Sequence, residues 1–136
     1  MRSKKDANHD APVPTEHEEQ AALIHWAKVM VRKYPELRLL YAIPNGGKRH
    51  VGVARKLKAE GVQSGVPDLC LPVPRGTYCG LYIEMKRKKG GTVTAEQKEW
   101  IDLLTEQRYR AVVCHGWLSA GDEIQAYLRL GTKEAA

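Results

Sequence analysis

The sequence predicts an α/β fold, a mixed β-sheet flanked by helices in the order αβαββαβα. Two capping signals point to helices: Thr15 with Glu18, and Thr94 with Gln97, each a hydroxyl three residues ahead of a Glu or Gln. Short apolar runs bounded by proline or glycine point to strands between them. No segment repeats.

Met1 to Pro14 carries Asn8, Asp10, Pro12 and Pro14 with little apolar content, and reads as a flexible arm. The ordered domain is expected over residues 15–131, with a short tail over 132–136. The first helix should run from about Glu16 to Lys33 and stop before Pro35. Its apolar stripe is Leu23, Trp26, Ala27, Met30, Val31 and Tyr34. Arg38 to Ile43 reads as a short strand and Pro44-Asn45-Gly46-Gly47 as a turn. A second helix follows over Lys48 to Glu60, closed by Gly61.

Asp68 to Val73 and Tyr78 to Lys86 read as a near-hairpin turned by Pro74-Arg75-Gly76. A basic loop from Lys86 to Lys89 leads through Gly90-Gly91 to a third helix with the stripe Trp100, Ile101, Leu103 and Leu104. Arg110 to His115 is a β-branched strand. Ser119 is expected to cap the last helix, which contains Ile124, Ala126, Tyr127 and Leu128.

The 136 residues suffice for one domain with a real core. No apolar run approaches the roughly 20 residues of a membrane span, and the N-terminus lacks a signal-peptide core, so a cytoplasmic protein is expected. The net charge of +6 suits a polyanionic partner. Cys70, Cys79 and Cys114 are odd in number and show no C-x-x-C spacing. That disfavours a zinc site or disulfide framework and leaves them as small apolar core residues. The five histidines form no H-x-x-x-H pair.

The chemistry concentrates in Pro67-Asp68 and Glu84-Met85-Lys86. Alternation along a strand puts Tyr82, Glu84 and Lys86 on one face and Leu81, Ile83 and Met85 on the other. Two carboxylates on neighbouring strands suit a hard divalent cation, and the lysine can orient water or offset developing charge. The plain alternatives are an exposed turn aspartate and a Glu84–Lys86 ion pair. Both leave half-buried carboxylates without a task. Glu16 lies within roughly 20° of the centre of its helix's apolar stripe, flanked by Glu19 and Gln20, and Glu18 points away. Glu16 is therefore a third candidate acid, or a carboxylate favoured by the helix N-terminus. Gln97 is either a capping residue or a polar contact to the site. Lys48, Arg49, Arg55, Lys56, Lys58 and the Lys86–Lys89 loop bracket the acids, as solvated faces or as phosphate contacts.

In that order, Pro67-Asp68 and Glu84-Met85-Lys86 match the PD-(D/E)-x-K nuclease pattern. With Glu16 to Gln20 as E-x-x-x-Q, Pro44-Asn45-Gly46 before the basic helix, Gly65-Val66-Pro67-Asp68, and Gln97 near Trp100, the chain resembles the VRR-NUC nucleases over roughly Thr15 to Leu130. The resemblance implies a restriction-endonuclease-like core and Mg²⁺- or Mn²⁺-dependent hydrolysis of DNA phosphodiesters. It implies that Asp68, Glu84 and the Met85 carbonyl bind metal, with Glu16 completing the acidic site. Lys86 would position the nucleophile and Gln97 would assist. Asn45, Lys48, Arg49, Arg55, Arg87, Lys88 and Lys89 are the expected DNA contacts. The resemblance is to small stand-alone phage or bacterial members, which implies a homodimer cutting branched DNA such as four-way junctions. A general or nicking endonuclease, and a non-catalytic DNA-binding protein on the same fold, are the alternatives.

Overall fold

The structure, a computed structural model, describes residues 12–44 and 51–131. The expected flexible arm lies outside them up to residue 11, as do the tail 132–136 and the Asn45–Gly47 turn residues with Lys48 and Arg49. The element order agrees with the sequence reading: α1 (Glu16–Met30), β1 (Tyr41–Ala42), α2 (Val51–Ala59), β2 (Leu69–Leu71), β3 (Leu81–Lys86), α3 (Ala95–Glu106), β4 (Arg110–His115) and α4 (Trp117–Leu128).

The four strands lie in the order β1-β2-β3-β4. β1, β2 and β3 run antiparallel, with Tyr41 opposite Cys70 and Leu69 opposite Ile83. β4 joins β3 in parallel, Glu84 opposite Val113, because α3 supplies the crossover a parallel pair needs. One sheet face is apolar: Leu69, Leu71, Leu81, Ile83 and Met85 are buried there. They form one core with Leu23 and Ala27 of α1 and with Ala120, Ile124, Tyr127 and Leu128 of α4. α3 packs against β4.

Both capping boxes form. Thr15 Oγ1 accepts from Glu18 N–H at 3.1 Å, and Thr94 Oγ1 from Gln97 N–H at 3.1 Å. Gly61 closes α2 as expected: at φ +102° its amide bonds Lys58 O while Val62 N–H bonds Leu57 O, a Schellman arrangement.

Several boundaries depart from expectation. α1 stops at Met30 rather than Lys33, where Lys33 and Tyr34 N–H both turn back to Met30 O. The apolar run after Pro35 is not a strand at its start. Pro35 opens a 3₁₀ turn over Pro35–Leu39 that buries Leu37, leaving β1 only two residues. β2 ends at Leu71 because Pro72 and Pro74 have no N–H to donate to a ladder. β3 starts at Leu81, and Tyr78 instead pairs with Arg75 across the turn. Ser119 does not cap α4. That helix begins three residues earlier than a Ser119 cap would start it, behind Gly116 at φ +87°, and has no cap from its own N-cap side chain. Cys79 is exposed, unlike the buried Cys70 and Cys114. Leu103 and Ala126 face outward from their helices.

Candidate active site

The antiparallel register of β2 and β3, continued one residue past Leu69 and Ile83, sets Asp68 opposite Glu84. Like charges directly across a sheet repel, so this pairing has to be compensated. Both residues are buried, Glu84 to 2% exposure and Asp68 to 9%. Asp68 Oδ2 accepts the Met85 N–H at 2.7 Å, which fixes its carboxylate against β3. Burial raises the Asp68 pKa, and the Met85 hydrogen bond works against that rise. Burial and the neighbouring Asp68 push Glu84 up to about 8, with Lys86 pulling the other way.

Lys86, 4% exposed, sits between two acids: Nζ is 3.6 Å from Glu84 Oε1 and 3.8 Å from Glu16 Oε1. Both separations exceed hydrogen-bond length, so the ammonium is held by charge and keeps its donors available. Gly91 beside it is favoured by its left-handed backbone and not by lack of space. At φ +75°, a Cβ there would lie 3.7 Å from both Lys86 Cδ and Glu16 Oε1.

Gln97 does both things the sequence offered as alternatives. Its Oε1 accepts Thr94 N–H at 2.9 Å in the capping box, and its Nε2 donates to Glu84 Oε1 at 2.9 Å. The first bond decides the second: a backbone N–H demands the amide oxygen, so the amide nitrogen must face the carboxylate.

Glu16, expected to continue the core-facing side at the helix end where it could reach the sheet, does reach it at Lys86 of β3. It is the first residue of α1 and reaches past the core toward Lys86, half exposed. The acid that α1 buries is Glu19, at 2% exposure, whose Oε2 accepts the Trp117 N–H at 2.6 Å. Glu19 thereby supplies the missing cap of α4 from another helix. Its place beside the stripe was visible in the sequence, but its partner, nearly a hundred residues on, was not.

The donor set fits a hard cation. Three carboxylates (Glu16, Asp68 and Glu84) against the Lys86 ammonium would, fully ionised, leave two negative charges, the charge of one divalent ion. Glu84 Oε2 is buried with no hydrogen-bond partner. The arrangement is a facing pair of acids with Glu16 set off toward Lys86. Among the described residues no three acids, histidines or cysteines converge as a metal cluster. Two carboxylates plus water are an ordinary magnesium environment.

Sequence comparison finds a match to the VRR-NUC domain over residues 5–117. The chain belongs to the VRR-NUC family. A solved structure described as a VRR_NUC domain protein is 33% identical, with 90% of this chain and 95% of that chain covered and a TM-score of 0.76. No curated protein sequence matches. This VRR-NUC chain is thus a nuclease-fold protein of DNA processing, built on an α/β core with a mixed four-stranded sheet. Among its described residues no helix is long and apolar enough to cross a membrane.

The VRR-NUC basic residues are divided. Arg55, Lys88 and Lys89 are exposed. Arg87 is partly committed inside the protein: its guanidinium donates to Val13 O at 3.3 Å, so the segment before α1 is tied to the basic loop. Lys88 packs over Gly116, where a Cβ would come within 2.9 Å of its Cγ. Asn45, Lys48 and Arg49 lie outside the described residues.

Proposed function

We propose that this chain is a Mg²⁺- or Mn²⁺-dependent endonuclease that hydrolyses DNA phosphodiesters, acting in the cytoplasm as a homodimer on branched DNA such as four-way junctions. The observation that carries the reading is the buried Asp68–Glu84 pair, facing across β2 and β3, with Lys86 Nζ 3.6 Å from Glu84 Oε1. Branched substrates and a two-fold dimer are supported by the resemblance to small members of the family, since paired sites suit paired strands.

Asp68 and Glu84 would hold the ion, with Glu16 and the Met85 carbonyl as further oxygen donors. The ion would supply activation of water and polarisation of a phosphoryl oxygen. Met85 N–H keeps the Asp68 carboxylate in place, and Gln97 does the same for Glu84. Lys86 presents an ammonium to the attacking water and to the charge that gathers on the phosphoryl oxygens. The reaction is hydrolysis with water as the nucleophile and no covalent intermediate, the carboxylates serving as ion ligands.

The test is incubation of labelled four-way junction and matched linear duplex with Mg²⁺, Mn²⁺ or chelator, beside Asp68→Ala. Metal-dependent cutting of the junction, lost in the variant, is the expected result. Equal cutting of both substrates would remove the junction preference. Binding without cutting would replace the enzyme by a DNA-binding protein.

A further inference from the structure

The outer face of α1 carries a row of polar side chains that neither the core nor the acidic pair uses. A cleft of about 520 Å³ opens at Asp68 and Glu16 and runs along α1 past His17, Gln20, Ile24, His25 and Lys28. A second hollow of about 380 Å³ shares Ile24 and Lys28 with the first and continues to Arg38. The two adjoin at Ile24 and Lys28 as one track from the candidate metal acids to Lys28 and Arg38, its outer part otherwise lined by the apolar Ala27, Val31, Leu37 and Leu40.

Spacing makes the row continuous, because positions 17, 20, 24 and 28 fall on one helical stripe. His17, Gln20, His25, Lys28 and Arg38 make no side-chain hydrogen bond or ion pair with other described residues. Beyond Glu16 and Asp68 no carboxylate lines either hollow. The track is therefore acidic where a metal would neutralise it and cationic farther out, as a DNA strand requires when one phosphate meets the metal and the next ones do not.

We infer that this α1 track seats the DNA strand on one side of the cut, with Lys28 and Arg38 holding its backbone phosphates. The inference rests on the nuclease reading and adds a strand path distinct from α2 and the Lys86–Lys89 loop. From Glu16 to Lys28 the helix rises about 18 Å. At 3.4 Å per step of duplex this is about five nucleotides from the scissile phosphate. Contacts of this kind fix position and carry no sequence preference.

The test measures equilibrium binding of a labelled duplex over a salt series for wild type, Lys28→Ala, Arg38→Ala, the double variant and Arg129→Ala. Lys28, Arg38 and Arg129 are exposed, so thermal melts should confirm intact folds. Arg129 follows the far end of α4, about 18 Å along the axis from the Glu19-bonded turn. Each track variant should make the slope of log K against log salt shallower by about 0.9, and the double variant by about 1.8. Arg129→Ala should keep the wild-type slope. A substrate shortened to two nucleotides on the track side should bind wild type more weakly and leave the double variant unaffected. Wild type that cuts DNA while the track variants keep its slope would overturn the track and leave the nuclease standing. Wild type that neither binds nor cuts DNA would overturn both.

Discussion

Gln97 holds Glu84 with one end of its amide and its own helix with the other. The carboxylate is thus aligned by the residue that starts α3, and the cap dictates which amide atom the carboxylate meets. Gln97→Glu keeps an oxygen for Thr94 N–H but turns a donor into a second carboxylate. Gln97→Ala loses both bonds. Both variants should cut DNA about 10- to 100-fold more slowly, as removal of a partner behind a metal ligand does. Only the alanine should also lose the side-chain half of the capping box, worth up to about 1 kcal/mol in denaturant melts, since Thr94 Oγ1 still accepts the backbone N–H of residue 97. Full activity in Gln97→Glu would show that the amide donor is dispensable.

Glu84 gives the protein a defined pH response without metal. Its folded pKa of about 8 exceeds the ordinary glutamate value of 4.5, so the folded state keeps a proton that the unfolded chain releases. The stabilisation from that proton is complete below about pH 4.5, declines as pH rises through the window, and is gone above about 8. Asp68 shifts in the same direction. In chelator, Tm should therefore fall from pH 5 to pH 8, and Glu84→Gln should flatten the fall. Metal competes with that proton, so added Mg²⁺ should raise Tm more at pH 8 than at pH 5. A metal effect independent of pH would contradict a protonated Glu84.

Lys86 lies between Glu84 and Glu16 with its ammonium unclaimed by any close hydrogen bond. Lys86→Ala should lower the cleavage rate by about 10²- to 10³-fold, the scale for losing one preorganised transition-state donor. DNA affinity in chelator should stay close to wild type, because the buried ammonium is not a backbone contact. Cleavage at the wild-type rate would remove Lys86 from the reaction.

Glu19 is an acid that builds the fold. Glu19→Ala strips a charged acceptor from the Trp117 N–H and should cost about 1.5–3 kcal/mol by chemical denaturation. Glu19→Gln keeps an oxygen in place and should recover more than half of the loss. At a temperature where each variant is folded, kcat should match wild type. A kcat loss without a stability loss would make Glu19 part of the chemistry.

The acidic pair and its lysine were readable because strand alternation is strict: once Glu84 and Lys86 share a face, the fold has little freedom to separate them. The α1 acids were not readable to the same degree. A helical wheel gives the direction of Glu16 and Glu19 around the axis, but not what lies at the height of each. One turn further along, Glu19 meets the start of α4, whereas Glu16 overhangs the core and meets Lys86. The run after Pro35 misled for a related reason. Its leucines and tyrosine have strand character, but Pro35 begins a tight turn that lets Leu37 reach the core first. Gly116 carried no cap signal because the acceptor comes from the opposite end of the chain.

The bond between Glu19 and Trp117 also sets an order in time. A ribosome delivers α1 long before it makes the amide that Glu19 holds. During that interval the wall bearing Glu16 has no fixed seat against α4, and the strand that carries Lys86 arrives between the two events. The acidic centre of a growing chain is therefore completed late, once residue 117 has emerged, about a hundred residues after α1 supplies Glu16.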